Sequence, residues 1–100
     1  MFDSFLIGLP VTEVPTPALI VDADILEENI IAMSTFVKKV GVTLRPHTKT
    51  HKTPTIAHMH SRAGAAGVCC ATIGEAEAMV YGGISAVYIA NEINDQHQTI

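Results

Sequence analysis

Short apolar segments alternate along this chain with segments that have the three-to-four-residue spacing of an amphipathic helix. Three short apolar runs, at residues 18–21, 68–71 and 86–90, and one segment of alternating apolar and polar residues, at 42–49, are expected to be strands. The intervening helical patterns cover residues 24–41, 53–64 and 74–81. Strands that alternate with helices of roughly ten residues are typical of parallel β/α units. The predicted fold class is therefore α/β.

Capping signals mark where these three helices are expected to begin. In a capping box, a short polar side chain accepts a hydrogen bond from the first helical turn, and a Glu three residues later reaches back. Proline is favoured at the first helical position, where its missing N–H would have no helical partner. The expected starts are therefore Asp24 with Glu27, Thr53 with Pro54, and Thr72 with Glu75. For the last of these, together with Gly74, a cap without chemistry is the preferred interpretation.

The length of the chain limits how such a fold is completed. Three β/α repeats are too few to close a barrel of eight, and a parallel sheet of so few strands has unpaired edges. The sequence also turns polar after residue 90, with no further helix to cover the last strand. We therefore expect residues 1–100 to be one partial, truncated domain with a loose N-terminal segment over residues 1–15.

Composition argues against several classes of protein. Hydrophobic residues make up 48% of the chain and charged residues 16%, which favours a globule with a buried sheet over a disordered segment. No apolar run approaches the roughly 20 residues of a membrane helix, and the start lacks the basic region of a signal peptide. Cys69 and Cys70 are adjacent and rarely bridge in such an arrangement. We expect reduced thiols and a cytoplasmic protein without membrane partners.

Charge is unevenly distributed. The net charge is −4, yet all six Lys and Arg residues lie between Lys38 and Arg62. No Asp or Glu occurs between Glu28 and Glu75. This basic segment, residues 38–62, could attract a phosphate-bearing ligand. It is also consistent with an ordinary solvated face.

The end of the second predicted strand has the densest set of reactive side chains. Alternation along residues 42–49 separates Val42 and Leu44 from a polar row of Thr43, Arg45, His47 and Lys49. In parallel α/β folds, ligands bind at the carboxyl ends of strands. A lysine attacks an aldehyde when desolvation and neighbouring cations keep its amine neutral. Lys49 suits that role, although an ordinary strand-end lysine that reaches solvent remains the alternative.

Residues 45–52, with the sequence RPHTKTHK, resemble the cofactor-lysine motif of the D-threonine aldolase and D-serine dehydratase group. Three further segments agree with that group in order and spacing, at residues 16–22, 70–77 and 89–93. The resemblance spans about residues 14 to 93. Four ordered matches are more specific than any one of them.

The resemblance implies the N-terminal portion of a (β/α)8 barrel of the alanine racemase type that binds pyridoxal 5'-phosphate. Lys49 would form the Schiff base with the cofactor, while strand parity places His47 and Arg45 in the same lumen as cofactor-binding residues. The implied activity is that of a lyase acting on D-amino acids with a β-hydroxyl, either as an aldolase or as a dehydratase. The full-length form is expected to be a homodimer.

The same resemblance sets expectations for the metal and for the end of the chain. A divalent metal assists in this group, but its ligands come from near the end of the full-length enzyme. We therefore expect no metal ligands in this chain. Residues 94–100 diverge from the group and are expected to be a divergent tail.

Four other interpretations compete with this one. The chain is also consistent with a non-catalytic carrier of vitamin B6 or with an inactive truncated fragment. A transition-metal site would have to use His47, His51, His58 and His60, whose spacings of four and two lack an acidic or thiolate partner. Nucleic-acid binding by residues 38–62 is disfavoured because only Phe36 stands near as a stacking ring.

Overall fold

The computed structural model of the chain describes residues 4–93. Three helices and two strands form an α/β arrangement, preceded by two short 3-10 turns at Ser4–Leu6 and Val11–Glu13. The order of the regular elements is α1 (Ala23–Val40), α2 (Pro54–Arg62), β1 (Val68–Cys70), α3 (Ile73–Tyr81) and β2 (Val87–Ile89). No helix in this described part of the chain is both long enough and apolar enough to cross a membrane.

The two strands pair in parallel, with Cys69 of β1 opposite Tyr88 of β2. A third parallel segment, residues 44–48, lies on the other side of β1. His47 forms an isolated bridge with Cys69, and the amide of Cys69 donates to the carbonyl of Pro46 over 2.8 Å. The order across the sheet is therefore 44–48, β1, β2.

Of the predicted strand at residues 42–49, only one bridge forms, between His47 and Cys69. Pro46 has no N–H, so one hydrogen bond that would lengthen the ladder toward β1 cannot form. Besides the bond from the Cys69 amide to Pro46, two further backbone bonds hold the segment beside β1. Ala66 N–H donates to the Leu44 carbonyl over 2.9 Å, and Thr48 N–H donates to the Cys69 carbonyl over 2.8 Å. The parallel placement was predicted correctly, and the extent of the strand was not.

The prediction of a leading strand at residues 18–21 was wrong. These residues have no regular structure, and the side chain of Leu19 is 97% exposed. Apolar and β-branched composition favours a strand only where a neighbouring strand accepts its backbone hydrogen bonds. Within residues 4–93, no strand lies beside this segment.

The start of α1 also differs from the prediction. Asp22, and not Asp24, is the N-cap, and its carboxylate accepts hydrogen bonds from the amides of Asp24 and Ile25 over 3.0 and 3.1 Å. The helix ends as expected at Gly41, which has a φ of 80° in the left-handed region that glycine tolerates. The predicted starts of α2 at Thr53 and Pro54 and of α3 at Thr72 are confirmed.

The core lies between the sheet and helices α2 and α3. Val68 and Cys70 of β1 are fully buried there against residues of both helices and of the loop before β2: Ala57, Ala76, Met79 and Ile84. Because side chains alternate along a strand, Cys69 and Tyr88 project to the opposite side of the sheet, where Tyr88 is 60% exposed. We refer to this side, defined by Cys69 and Tyr88, as the Cys69 face.

Helix α1 packs on α2 through a single row of side chains. Ile30 and Ser34 are buried, and the Ser34 hydroxyl donates to the carbonyl of Ala63 at the end of α2. Met33 and Val40, which also fit the three-to-four-residue apolar spacing of this helix, are 47% and 53% exposed.

Candidate functional site

The candidate site lies at the edge of the sheet where the parallel strands end. Carboxyl ends of parallel strands meet at one edge, and the loops there surround ligand crevices in α/β folds. Lys49 follows the 44–48 segment at this edge, where the neighbouring β1 ends at Cys70. Lys49 is exposed to solvent.

The residue before Lys49 is anchored firmly in the protein. Thr48 is 1% exposed, and its amide donates to the Cys69 carbonyl over 2.8 Å. Its hydroxyl lies 3.3 Å from that same carbonyl and 3.3 Å from the sulfur of Cys70. The backbone from which Lys49 extends is therefore fixed, although Lys49 itself is exposed.

His47 lies on the opposite side of the sheet from the buried Thr48. It is the bridge partner of Cys69, and partners in a parallel ladder project to the same side. His47 is half-buried there, whereas Arg45, two residues earlier and of the same parity, is exposed. The amide of Lys49 donates to Nδ1 of His47 over 3.2 Å, so the structure brings His47 and the backbone of Lys49 together.

Residues 49–52 form a tight turn that returns to Thr48. The amide of Lys52 donates to the Thr48 carbonyl over 2.8 Å, and Lys52 has a φ of 55°. This left-handed conformation costs a residue with a side chain roughly 1–2 kcal/mol. The next amide, that of Thr53, donates to Nδ1 of His51 over 3.1 Å.

His51 is unusual among the histidines of the described residues because its Nε2 is buried without a hydrogen-bond partner. Burial lowers the pKa of His51 below its ordinary value of 6.5. Burial also lowers the pKa of His60, and the nearby His51 lowers it further. Both effects favour neutral rings at neutral pH.

The turn after β1 has a different chemistry. The amide of Glu75 donates to the Thr72 hydroxyl over 3.2 Å, and that hydroxyl donates to one Glu75 oxygen over 3.2 Å. The other Glu75 oxygen accepts from the amide of Ala71 over 3.4 Å. These bonds confirm the helix-cap interpretation of Thr72 and Glu75.

A small cavity of about 140 Å³ lies beside this second turn at the same edge of the sheet. It is lined by the ends of both strands and the residues that follow them: Ala71, Thr72, Ile73, Ile89, Asn91, Glu92 and Ile93.

His58 makes its hydrogen bond in a different part of the fold. Nε2 of His58 is 2.7 Å from the carbonyl of Gly82 and joins α2 to the end of α3. Within residues 4–93, no group of three or more His, Cys, Asp or Glu side chains is placed to hold a metal ion.

Sequence reasoning missed two neighbours of Lys49. Cys69 pairs with His47 across a sequence separation that no local pattern reveals. His51 was considered only as a metal ligand, although it repeats the relation of His47 to Lys49: each ring accepts from the amide two residues later. The repeated spacing of His47 and His51 around Lys49 was the available signal.

Comparison with known proteins supplies an independent line of evidence. No protein-family model matches the chain. It is 41% identical over 86 residues to a D-threonine aldolase of Arthrobacter sp, an alignment that covers 86% of this chain and 23% of that protein. A D-serine dehydratase of Schizosaccharomyces pombe is 43% identical over 47 residues, which cover 47% of this chain and 11% of that one.

The backbone agrees as well. The crystal structure of D-threonine aldolase from Filomicrobium marinum superposes with a TM-score of 0.88 and 47% identity, covering 91% of this chain and 24% of that one. The resemblance to the D-threonine aldolase and D-serine dehydratase group is confirmed. The chain spans less than a quarter of the length of the D-threonine aldolase relative that it matches in sequence.

Proposed function

We propose that the chain is part of a pyridoxal-phosphate-dependent lyase acting on D-amino acids with a β-hydroxyl, and that Lys49 is its cofactor lysine. The observation that carries this proposal is the position of Lys49. Lys49 is exposed at the carboxyl edge of a parallel sheet, within the RPHTKTHK sequence by which the chain resembles the aldolase and dehydratase group.

The proposed architecture is the first part of a (β/α)8 barrel of the alanine racemase type. Helices α2 and α3 pack on one side of the three parallel segments, as helices do on the outside of such a barrel. The Cys69 face would then be the lumen side. The remaining strands and the partner subunit of a cytoplasmic homodimer would belong to the longer enzyme.

The residues near Lys49 fit an aldehyde that carries a phosphate. Arg45, His47 and Lys52 supply positive or hydrogen-bonding groups within the same eight residues, and no carboxylate lies between Glu28 and Glu75 in the sequence. The Lys49 amine would hold the cofactor covalently by condensing with its aldehyde and releasing water. His47 and Arg45 would contact the cofactor without a covalent bond.

When bound, pyridoxal phosphate supplies an electron sink for bonds broken at the substrate α-carbon. The residues of this chain would place and orient the Lys49 amine. The buried Thr48 fixes the backbone from which Lys49 extends, and His47 holds the Lys49 amide. An amine on a fixed backbone meets its partner at a higher effective concentration than a freely moving one.

A divalent metal near the β-hydroxyl belongs to the same proposal. Such an ion would polarise the hydroxyl as a Lewis acid. No cluster of suitable ligands occurs within residues 4–93, so we place its ligands in the remainder of the longer enzyme.

The test is to add pyridoxal phosphate to the chain, reduce with borohydride, and map the labelled peptide by mass spectrometry. Label is expected on Lys49 and is expected to vanish in Lys49→Arg. Lys52→Arg is the matched control, because it removes the neighbouring amine and keeps the charge. Label on Lys52, or on no residue, would contradict the assignment.

Turnover separates the lyase from a non-catalytic vitamin B6 carrier. The longer enzyme, given D-threonine or D-serine with pyridoxal phosphate and a divalent metal, is expected to release an aldehyde or a keto acid. Label on Lys49 without either product would favour the carrier.

A further inference from the structure

The turn that carries Lys49 is enclosed by two histidines that make the same hydrogen bond. Nδ1 of His47 accepts from the amide of Lys49 over 3.2 Å. Nδ1 of His51 accepts from the amide of Thr53 over 3.1 Å. Between them, the amide of Lys52 returns to the carbonyl of Thr48 over 2.8 Å. Three backbone amides of this short segment therefore have defined partners.

Lys52 is the residue of this turn whose conformation needs support. Its φ of 55° is positive, and residues with a Cβ occupy this region only where surrounding contacts hold them. One supporting bond is made by its own amide. The other is made by the following amide, that of Thr53, and depends on His51.

The geometry also determines where the His51 ring carries its proton. A ring nitrogen that accepts from a backbone amide has no proton, so the neutral ring is protonated on Nε2. That Nε2 is the buried atom without a hydrogen-bond partner among the described residues. Burial keeps the pKa of His51 low, which preserves the lone pair on Nδ1 near neutral pH.

We infer that His51 is a positioning residue for Lys49, holding the 49–52 turn in its left-handed return through the bond from the Thr53 amide to Nδ1. The effect on cofactor binding rests on the proposed function. The support of the turn by His51 does not. Loss of the bond would let the Lys52 and Thr53 backbone move and would spread Lys49 over more orientations.

Three substitutions at His51 separate this role from simple packing. Asparagine places its oxygen near the position of Nδ1, glutamine places it near Nε2, and leucine offers no acceptor. An ordinary protein hydrogen bond changes an equilibrium by roughly three- to tenfold. We therefore expect His51→Leu and His51→Gln to speed hydrogen exchange of the Thr53 amide by about that factor, and His51→Asn to stay near the parent rate.

Nuclear magnetic resonance of the ring nitrogens gives a direct reading. In the parent chain, His51 is expected to show an unprotonated Nδ1 and a protonated Nε2 at neutral pH. The opposite tautomer, or unchanged Thr53 exchange in His51→Leu, would overturn the inference.

His58 provides a matched control. It is also half-buried and bonds to a backbone group, the Gly82 carbonyl, but it joins α2 to α3 and not the turn. His58→Leu is expected to lower the unfolding midpoint and to leave Thr53 exchange, measured relative to core amides, unchanged.

Borohydride labelling connects the turn to the cofactor. Under limiting pyridoxal phosphate, label at Lys49 is expected to form several-fold more slowly in His51→Leu than in the parent, with recovery in His51→Asn. Absence of label in the parent would contradict the proposed function and leave the exchange and tautomer results to decide the role of His51. Equal labelling rates in all three His51 variants would show that the turn does not position Lys49.

Discussion

The turn after the 44–48 segment and the turn after β1 both lead from a parallel segment into a nine-residue helix. Both helices are capped by a threonine, Thr53 in the first turn and Thr72 in the second, each accepting from an amide of its helix. The turns differ in what precedes the cap. Residues 49–52 insert two lysines and a histidine before Thr53, whereas only Ala71 stands between β1 and Thr72.

The two turns lie at the same edge of the sheet but differ in how their polar groups are bonded. The second turn satisfies its own polar groups, because Glu75 bonds to the Thr72 hydroxyl and to the Ala71 amide. In the first turn, His47 and His51 accept from the backbone amides of Lys49 and Thr53, and Lys49 is exposed. The first turn therefore has the exposed lysine that the proposed cofactor site requires.

The largest expected effect comes from removing the Lys49 amine. Lys49→Arg retains the positive charge but cannot condense with an aldehyde at neutral pH. We expect complete loss of borohydride-trapped label, read by peptide mass mapping. Thr72→Ala in the second turn serves as the comparison and is expected to label like the parent chain. Equal loss of label in both variants would remove the distinction between the two turns.

A smaller effect is expected from the cap of the second turn. Thr72→Ala removes the acceptor for the Glu75 amide and should lower the free energy of unfolding by about 1 kcal/mol, the usual cost of losing an N-cap. Denaturant unfolding followed by circular dichroism measures this change. Thr72→Ser retains the hydroxyl and should recover most of the loss. A Thr72→Ala chain as stable as the parent would show that the cap contributes nothing.

Local signals predicted the starts of α2 and α3, because each start is specified by residues within a few positions of it. Pro54 directly after Thr53, and Glu75 three residues after Thr72, each specify a helix start by contacts along the chain. At α1 two aspartates compete for the same role, and only the backbone path shows that Asp22 reaches the first amides.

The parts that sequence reasoning missed depend on contacts between distant residues. The strand expected at 18–21 had suitable composition, but strand formation requires a partner, which is a non-local condition. The pairing of His47 with Cys69 is likewise set by sheet register. The left-handed Lys52 carries no local signal, because glycine and asparagine are the residues that ordinarily mark such a conformation. Lys49 itself was identified from strand parity and resemblance, and its role remains a prediction.

A third, smaller effect is expected when Lys52, whose backbone is left-handed, is replaced by glycine. Lys52→Gly should raise the stability of the first turn, since glycine adopts a positive φ of this kind without steric cost. The gain is expected to be at most about 1 kcal/mol, because glycine also loses more backbone freedom on folding. Thermal unfolding of Lys52→Gly and of Lys52→Ala measures it, and the alanine variant should show no gain.

Lys52→Gly also tests whether His51 supports the conformation of residue 52. If His51 supports the conformation of Lys52, His51→Leu should be less damaging when residue 52 is already glycine. A double-mutant cycle on Thr53 amide exchange measures this coupling. Additive effects would mean that the two residues act independently.

The smallest expected effect is a pH dependence confined to the first turn. Burial lowers the pKa of His51 from 6.5 in the folded chain, so the unfolded chain binds a proton more readily than the folded one. The contribution of His51 to stability is therefore fully present above pH 6.5 and is lost as the pH falls through the lower, folded-state pKa. Burial, and in addition the nearby His51, also lowers the pKa of His60, so its protonation acts on stability in the same direction.

Protonation acts on the turn because it converts Nδ1 of His51 from an acceptor into a donor facing the Thr53 amide. Thr53 exchange is expected to rise as the pH is lowered below 6.5, after correction for intrinsic exchange. The Glu75 amide in the second turn, which bonds to the Thr72 hydroxyl and to no histidine, should show no matching rise. His51→Asn should remove the pH response of Thr53 while retaining its protection, and a response that persists in that variant would assign it to His60.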